Sequence, residues 1–170
     1  MARLTPSGSR QQGFTLLVLL FLIAGFGVAM AALGTLWGAL AQREKEAELL
    51  FVGDQYRRAI ESYYFRTPGK DKNYPPNLEA LLRDPRFPAT VRHLRRLYLD
   101  PFSGSLEWGL VRDARGGIIA VFSTAPGTPY KTAGFPLIYE SFEGGTEYRG
   151  WVFAARVEQP PILTGEPIYD

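Results

Sequence analysis

A chain of 170 residues, 46% of them hydrophobic, is long enough for one domain of ordinary size and an appendage. It has no cysteine, which excludes disulfides and thiolate metal sites. The net charge of +2 belongs to the N-terminus, where residues 1 to 41 hold Arg3 and Arg10 and no acid, while from residue 42 onward 17 basic side chains balance 17 acidic ones, which argues against a nucleic-acid-binding surface.

Phe14 to Ala41 carry no charge over 28 positions. As a helix this run spans about 42 Å, more than the roughly 30 Å of hydrocarbon in a bilayer. Arg3 and Arg10 precede it, so the positive-inside bias predicts a cytoplasmic N-terminus with the remainder across the membrane. Ala39-Leu40-Ala41 matches the small-x-small pattern of signal-peptide cleavage, but a secretory h-region runs only about 7 to 15 residues. A plain single-pass anchor is a second alternative. Within the run, Gly27, Ala31, Gly34 and Gly38 recur at steps of three and four, a pattern of small residues that lets helices approach closely in lipid.

The segment that follows does not look like a linker. Leu49, Val52, Tyr56, Ile60 and Tyr63 form one apolar stripe, with Arg43, Glu44, Glu48, Arg57, Arg58 and Glu61 elsewhere. No proline interrupts residues 14 to 67, and Pro68-Gly69 supply a stop. The expectation is one rod of about 80 Å, apolar all round in its first half and on one side in its second. Beyond it, Tyr74 to Arg86 predict a short helix with Asn77 as N-cap and Leu78, Leu81 and Leu82 facing inward. Leu106 to Arg112 and Ile118 to Thr124 are β-rich runs joined by a hairpin loop at residues 113–117, and Tyr148 to Val157 alternate as a half-buried strand, with Trp151, Phe153, Ala155 and Val157 on one face. A long helix packed on a small antiparallel sheet is α+β.

The short basic leader, Gly13-Phe14-Thr15-Leu16, the apolar helix and its amphipathic extension together resemble the type IV pilins and, more closely, the type II secretion pseudopilins. Asp100-Pro101-Phe102-Ser103-Gly104 resembles the turn that precedes the sheet in major pseudopilins. Two-thirds of the chain fits the family order, and the N-terminal motif is its specific part. The resemblance implies a leader over residues 1–13, a transmembrane helix over 14–41 and a periplasmic pilin-like domain over 42–170, its helix continuing to about residue 67. It implies cleavage between Gly13 and Phe14 by a prepilin peptidase and N-methylation of Phe14. The implied partners are sister pseudopilins or pilins and the inner-membrane assembly platform of the secretion system, with a structural role, no cofactor and no nucleic acid. One position departs from the pattern: Val18 stands where the family nearly always has a glutamate.

Enzymatic readings are weak. His93, the single histidine, lies in Arg92-His93-Leu94-Arg95-Arg96, and an exposed histidine in a basic segment is the expectation. A general base needs an orienting acid and a nearby nucleophile; Asp100, Ser103 and Ser105 are nearest in sequence, with no Gly-x-Ser-x-Gly elbow around either serine. The same basic cluster could hold phosphate or DNA, a reading the balanced charge disfavours. Major pseudopilins carry calcium in the loop before the last strand, yet residues 125–136 contain no acid. Glu140, Glu143 and Glu147 follow it without the tight acidic pattern that calcium favours. The loop is expected to be ordered by proline, glycine and aromatic packing, and no metal is expected.

Overall fold

The computed structural model describes residues 11–157, with 11–13 and 32–36 described by their backbone alone. Residues 1–10 of the expected leader therefore lie outside the described residues. Helix α1 is a single element, Gln11–Phe65, of 55 residues. The chain divides into two units, Met1–Gln42 and Arg43–Asp170, and α1 contributes to each.

In the first unit, Phe14–Ala31 forms a segment long and apolar enough to cross a membrane, and none of its residues is buried. The second unit builds its core on the amphipathic part of α1. Leu49, Val52, Tyr56, Ile60 and Tyr63 are all buried, as is Ala59 on the same side. Each large side chain of this stripe contributes on the order of 1.5–3 kcal/mol by leaving water. The helix ends where carbonyls find other donors. Thr67 Oγ1 donates to Tyr63 O at 3.2 Å, and Lys72 Nζ donates to Phe65 O at 3.2 Å and Thr67 O at 3.0 Å. A cation at this terminus also complements the negative end of the helix dipole. Gly69, at φ 80°, then reverses the chain in a conformation that glycine adopts without strain.

Three strands pair antiparallel in the order β1-β2-β3: β1 is Gly109–Arg112, β2 is Ile118–Phe122 and β3 is Phe153–Ala154. Gly109 lies opposite Phe122, and Val121 opposite Phe153, with an irregularity in β1 between Val111 and Arg112. The architecture is α+β: an N-terminal apolar helix, short 3₁₀ helices and a small antiparallel sheet. The hairpin loop is organised by Asp113, whose Oδ1 accepts from Arg115 N at 3.0 Å and Gly117 N at 2.7 Å. Asn77 Oδ1 accepts from Ala80 N at 2.9 Å, but the element here is only a 3₁₀ turn, Glu79–Leu81, whose N-cap is Leu78 rather than the expected Asn77. Leu81 is buried, with Leu78 and Leu82 packed part-buried against the core.

All three strands are shorter than their sequence runs. The last differs most, because Tyr148–Gly150 coils into a 3₁₀ helix and only Phe153–Ala154 pairs. Alternation still holds where it matters, since Trp151 and Phe153 are both fully buried. Two 3₁₀ turns over Leu137–Phe142, kinked at Tyr139 (φ −121°), which the sequence pattern did not announce, bring Phe142 into a parallel stack on Trp151, with ring centroids 5.8 Å apart. Phe153 meets Phe142 edge-on at 5.3 Å.

Phe153 reaches α1 through one gap. A Cβ placed on Gly53 would lie 2.4 Å from the Phe153 ring. Gly53→Ala is therefore expected to cost about 1–3 kcal/mol through overpacking and to lower the melting temperature of the detergent-solubilised chain by roughly 5–15 °C. An unchanged melting curve by circular dichroism would show that the ring can step aside.

Candidate functional site

Gly13 and Phe14, between which the resemblance leads one to expect cleavage, fall at the start of α1. Gly13 lies within the backbone of this helix, and the Phe14 side chain is strongly exposed. Val18 is 41% exposed, and no charged side chain occurs from Phe14 to Ala41. Gly27, Ala31, Gly34 and Gly38 fall within an arc of about 60° on a helix turning 100° per residue. Around Gly27 and Gly38 a Cβ would meet nothing within 4 Å, and Ala31 is exposed. Gly34 is among the residues described by backbone alone. The first unit thus presents an apolar helix in which Gly27, Ala31 and Gly38 are uncovered.

In the second unit, buried carboxylates tie distant loops to the core. Glu46, on α1, is almost fully buried and accepts from Tyr130 N at 2.6 Å, Lys131 N at 3.0 Å and the Tyr148 hydroxyl at 2.8 Å. The acid-free loop 125–136 is thus held by a carboxylate borrowed from the helix, in addition to aromatic packing of Phe135 on Trp151 at 5.4 Å. Glu143 adds a bond from Gly134 N at 3.0 Å. Asp100, in the turn ahead of the sheet, is fully buried and accepts from Phe102 N at 2.9 Å and from Ser123 Oγ at 2.6 Å. Among the described residues no three His, Asp or Glu side chains gather closely enough to hold a metal.

His93 corrects an expectation. Its imidazole is fully buried rather than exposed. Its partners are not Asp100, Ser103 or Ser105 but Asp84, 3.1 Å from Nε2, and Ser62, 2.9 Å from Nδ1. With the ring neutral, Nε2–H donates to the carboxylate and Nδ1 accepts from the hydroxyl. The order acid–imidazole–hydroxyl resembles a nucleophilic relay, yet the ring has no surface that a substrate could reach. Asp84 is also committed elsewhere, since Arg86 Nε donates to it at 2.8 Å and Arg86 N at 3.0 Å. Arg86 in turn lies 3.5 Å over the Tyr63 ring and donates to Thr67 Oγ1 at 2.6 Å. The cluster fastens the segment after Leu81 to the end of α1.

A second ionic cluster joins α1 to the Leu137–Phe142 turn. Arg57 pairs with Asp54 at 2.8 Å and Glu61 at 2.6 Å, and its Nε donates to the Tyr139 hydroxyl at 3.1 Å. Burial raises the Tyr139 hydroxyl well above its usual range, and Asp54 adds to the rise.

No protein-family model, curated protein or solved structure matches this chain. The geometry is therefore the guide to its chemistry, and the buried clusters among the described residues fasten one segment to another.

Those fastenings make the second unit sensitive to acid. Burial pushes the Asp84 carboxyl up, but Arg86 and His93 outweigh it and hold it at about 2. Burial pulls His93 below its ordinary value, against the opposing influence of Asp84. Both folded-state values lie below the unfolded ones, so both stabilise fully at high pH and lose that contribution as pH falls. The His93 contribution starts to fade below about pH 6.5, and the Asp84 contribution between about pH 4 and 2. The melting temperature should therefore decline from pH 7 to 5, and His93→Gln should flatten that decline. Asp84→Asn should cost about 2–4 kcal/mol at pH 7. A wild-type curve level down to pH 5 would show that His93 does not need to stay neutral.

Proposed function

We propose that this chain is a pseudopilin-like structural subunit of a type II secretion system or a related pilus machine. The observation that carries the reading is the union of Gly13-Phe14-Thr15-Leu16 with a wholly unburied apolar stretch, Phe14–Ala31, in the same helix that supplies the core stripe of an α+β unit. A peptide destined for removal needs no such helical continuity. An apolar helix that buries nothing of its own is suited to lipid and then to sister helices. In this reading a prepilin peptidase cuts after Gly13 on the cytoplasmic side of the inner membrane, Phe14 is methylated, and the second unit stands in the periplasm. The strip Gly27, Ala31, Gly34 and Gly38 is the face offered to neighbouring helices, and the subunit enters a short periplasmic filament on the assembly platform.

Val18 refines the role. In the resembling family the glutamate at this position meets the N-terminal amine of a neighbouring subunit, and an unpaired charge at such depth is costly. Valine carries no such demand and offers no partner to a neighbour's amine. That suits a low-copy subunit at the filament tip or one that initiates assembly. The same valine favours a second reading, a single-pass anchored periplasmic domain that binds a partner without polymerising.

Mass spectrometry of the mature N-terminus separates these readings. The expected species begins at N-methylated Phe14, and Gly13→Ala should leave the leader attached. An N-terminus at Gln42 would restore the signal peptide, and an unprocessed chain would favour the anchored domain. Stoichiometry in isolated or crosslinked filaments tests the tip role. The unmodified protein should be present in a few copies and Val18→Glu in more, whereas many copies of the unmodified chain would refute the assignment.

A further inference from the structure

The arginines of the segment after Leu81 divide into two groups. Arg86 is spent inward on Asp84, Thr67 and Tyr63, and Arg96 lies over the Tyr98 ring at 5.0 Å. Arg83, Arg92 and Arg95 are exposed, and among the described residues their side chains enter no ion pair or hydrogen bond. All three line one open cavity of ≈ 340 Å³, together with Leu82 and Thr90. That volume lies within the roughly 300–1,000 Å³ of small-ligand sites. No acid occurs from Pro85 to Leu99, and Asp84 is buried and already committed to Arg86 and His93.

The walls of the cavity are fixed. Asp84 N donates to Val91 O at 3.0 Å, and His93 N and Leu94 N both donate to Leu81 O, at 2.8 and 2.9 Å. Leu81 and Leu94 are anchored in the core, and the imidazole between them and α1 is held at both nitrogens. The fixed backbone therefore roots three arginines around one space, where their charges repel each other. An anion in that space relieves the repulsion and accepts charge-assisted hydrogen bonds from the guanidiniums.

We propose that Arg83, Arg92 and Arg95, with the Thr90 hydroxyl, form a pocket for a phosphate monoester. The choice of anion follows from charge and oxygen count. A carboxylate brings one charge and two oxygens, which a single guanidinium fork satisfies. A phosphate monoester brings nearly two charges and three terminal oxygens at neutral pH, enough to engage all three arginines. The same groups would accept free inorganic phosphate, so the probes must separate the two sources.

The test is a thermal and calorimetric titration of the full detergent-solubilised chain with inorganic phosphate, glycerol phosphate and acetate at matched ionic strength. Glycerol phosphate at ten times its Kd should raise the melting temperature by about 3–6 °C. Arg92→Gln/Arg95→Gln should abolish the shift, and Arg92→Lys/Arg95→Lys should retain a smaller one. These side chains lie on the surface, so an unchanged circular dichroism spectrum is expected in each variant. Inorganic phosphate binding more tightly than the ester would name the free ion as the ligand and overturn the monoester assignment. An equal shift with acetate, or an undiminished shift in the glutamine variant, would reduce the effect to charge screening and overturn the pocket. Binding of a single-stranded oligonucleotide that glycerol phosphate does not displace would replace the monoester with a polymer backbone.

Discussion

A sheet with strands of four, five and two residues cannot stand alone in water. The second unit exists because the apolar stripe of α1 gives that sheet a surface to cover. Tyr56 shows how closely the two are joined, since its ring packs on Trp108 with centroids 5.2 Å apart while its hydroxyl donates to Tyr98 O at 3.1 Å. At Gly53 the helix surrenders a side chain so that Phe153 can lie against its backbone. Sheet, turns and loops all take their positions from this one helix face.

The chain has no disulfides, and its sequence leads one to expect the loop at residues 125–136 to be ordered by packing. The structure adds a second device, used three times. Glu46, Asp84 and Asp100 are buried carboxylates, and each accepts main-chain N–H groups from a segment with no regular structure. A buried carboxylate with all its lone pairs engaged is a strong fastening, and the same group left unpaired is a heavy burden. The three sites therefore specify loop geometry as firmly as they stabilise it.

What the sequence revealed depended on distance along the chain. The stripe from Leu49 to Tyr63 and the bond from Ala80 to Asn77 could be read because their partners lie within a helical turn or two. His93 could not, since Ser62 and Asp84 are 31 and 9 residues away and no local pattern links them. The strand from Tyr148 was read too long because aromatic alternation records burial, and Tyr148 and Trp151 are buried from a 3₁₀ turn and a coil as thoroughly as from a strand. Glu46 offered a usable sign. It sits three residues before Leu49, on the apolar face rather than among the solvated charges of its neighbours, and an acid in that register demands a partner. The unpaired arginines beside His93 were visible as a basic cluster, but which of them face inward was not.

The edges of the sheet limit how the molecule can associate. β3 pairs over two residues and is followed by Arg156, whose N–H is taken up by Glu61. On the other side, β1 has a break in register before Arg112, and that arginine turns back to the carbonyls of Pro76 and Gly116. Neither margin presents the long, flat row of free amides and carbonyls on which strands from other chains add. Short, interrupted margins of this kind are poor templates for strand addition. Among the described residues, the hydrogen-bonding capacity of the sheet margins is turned back into the same molecule.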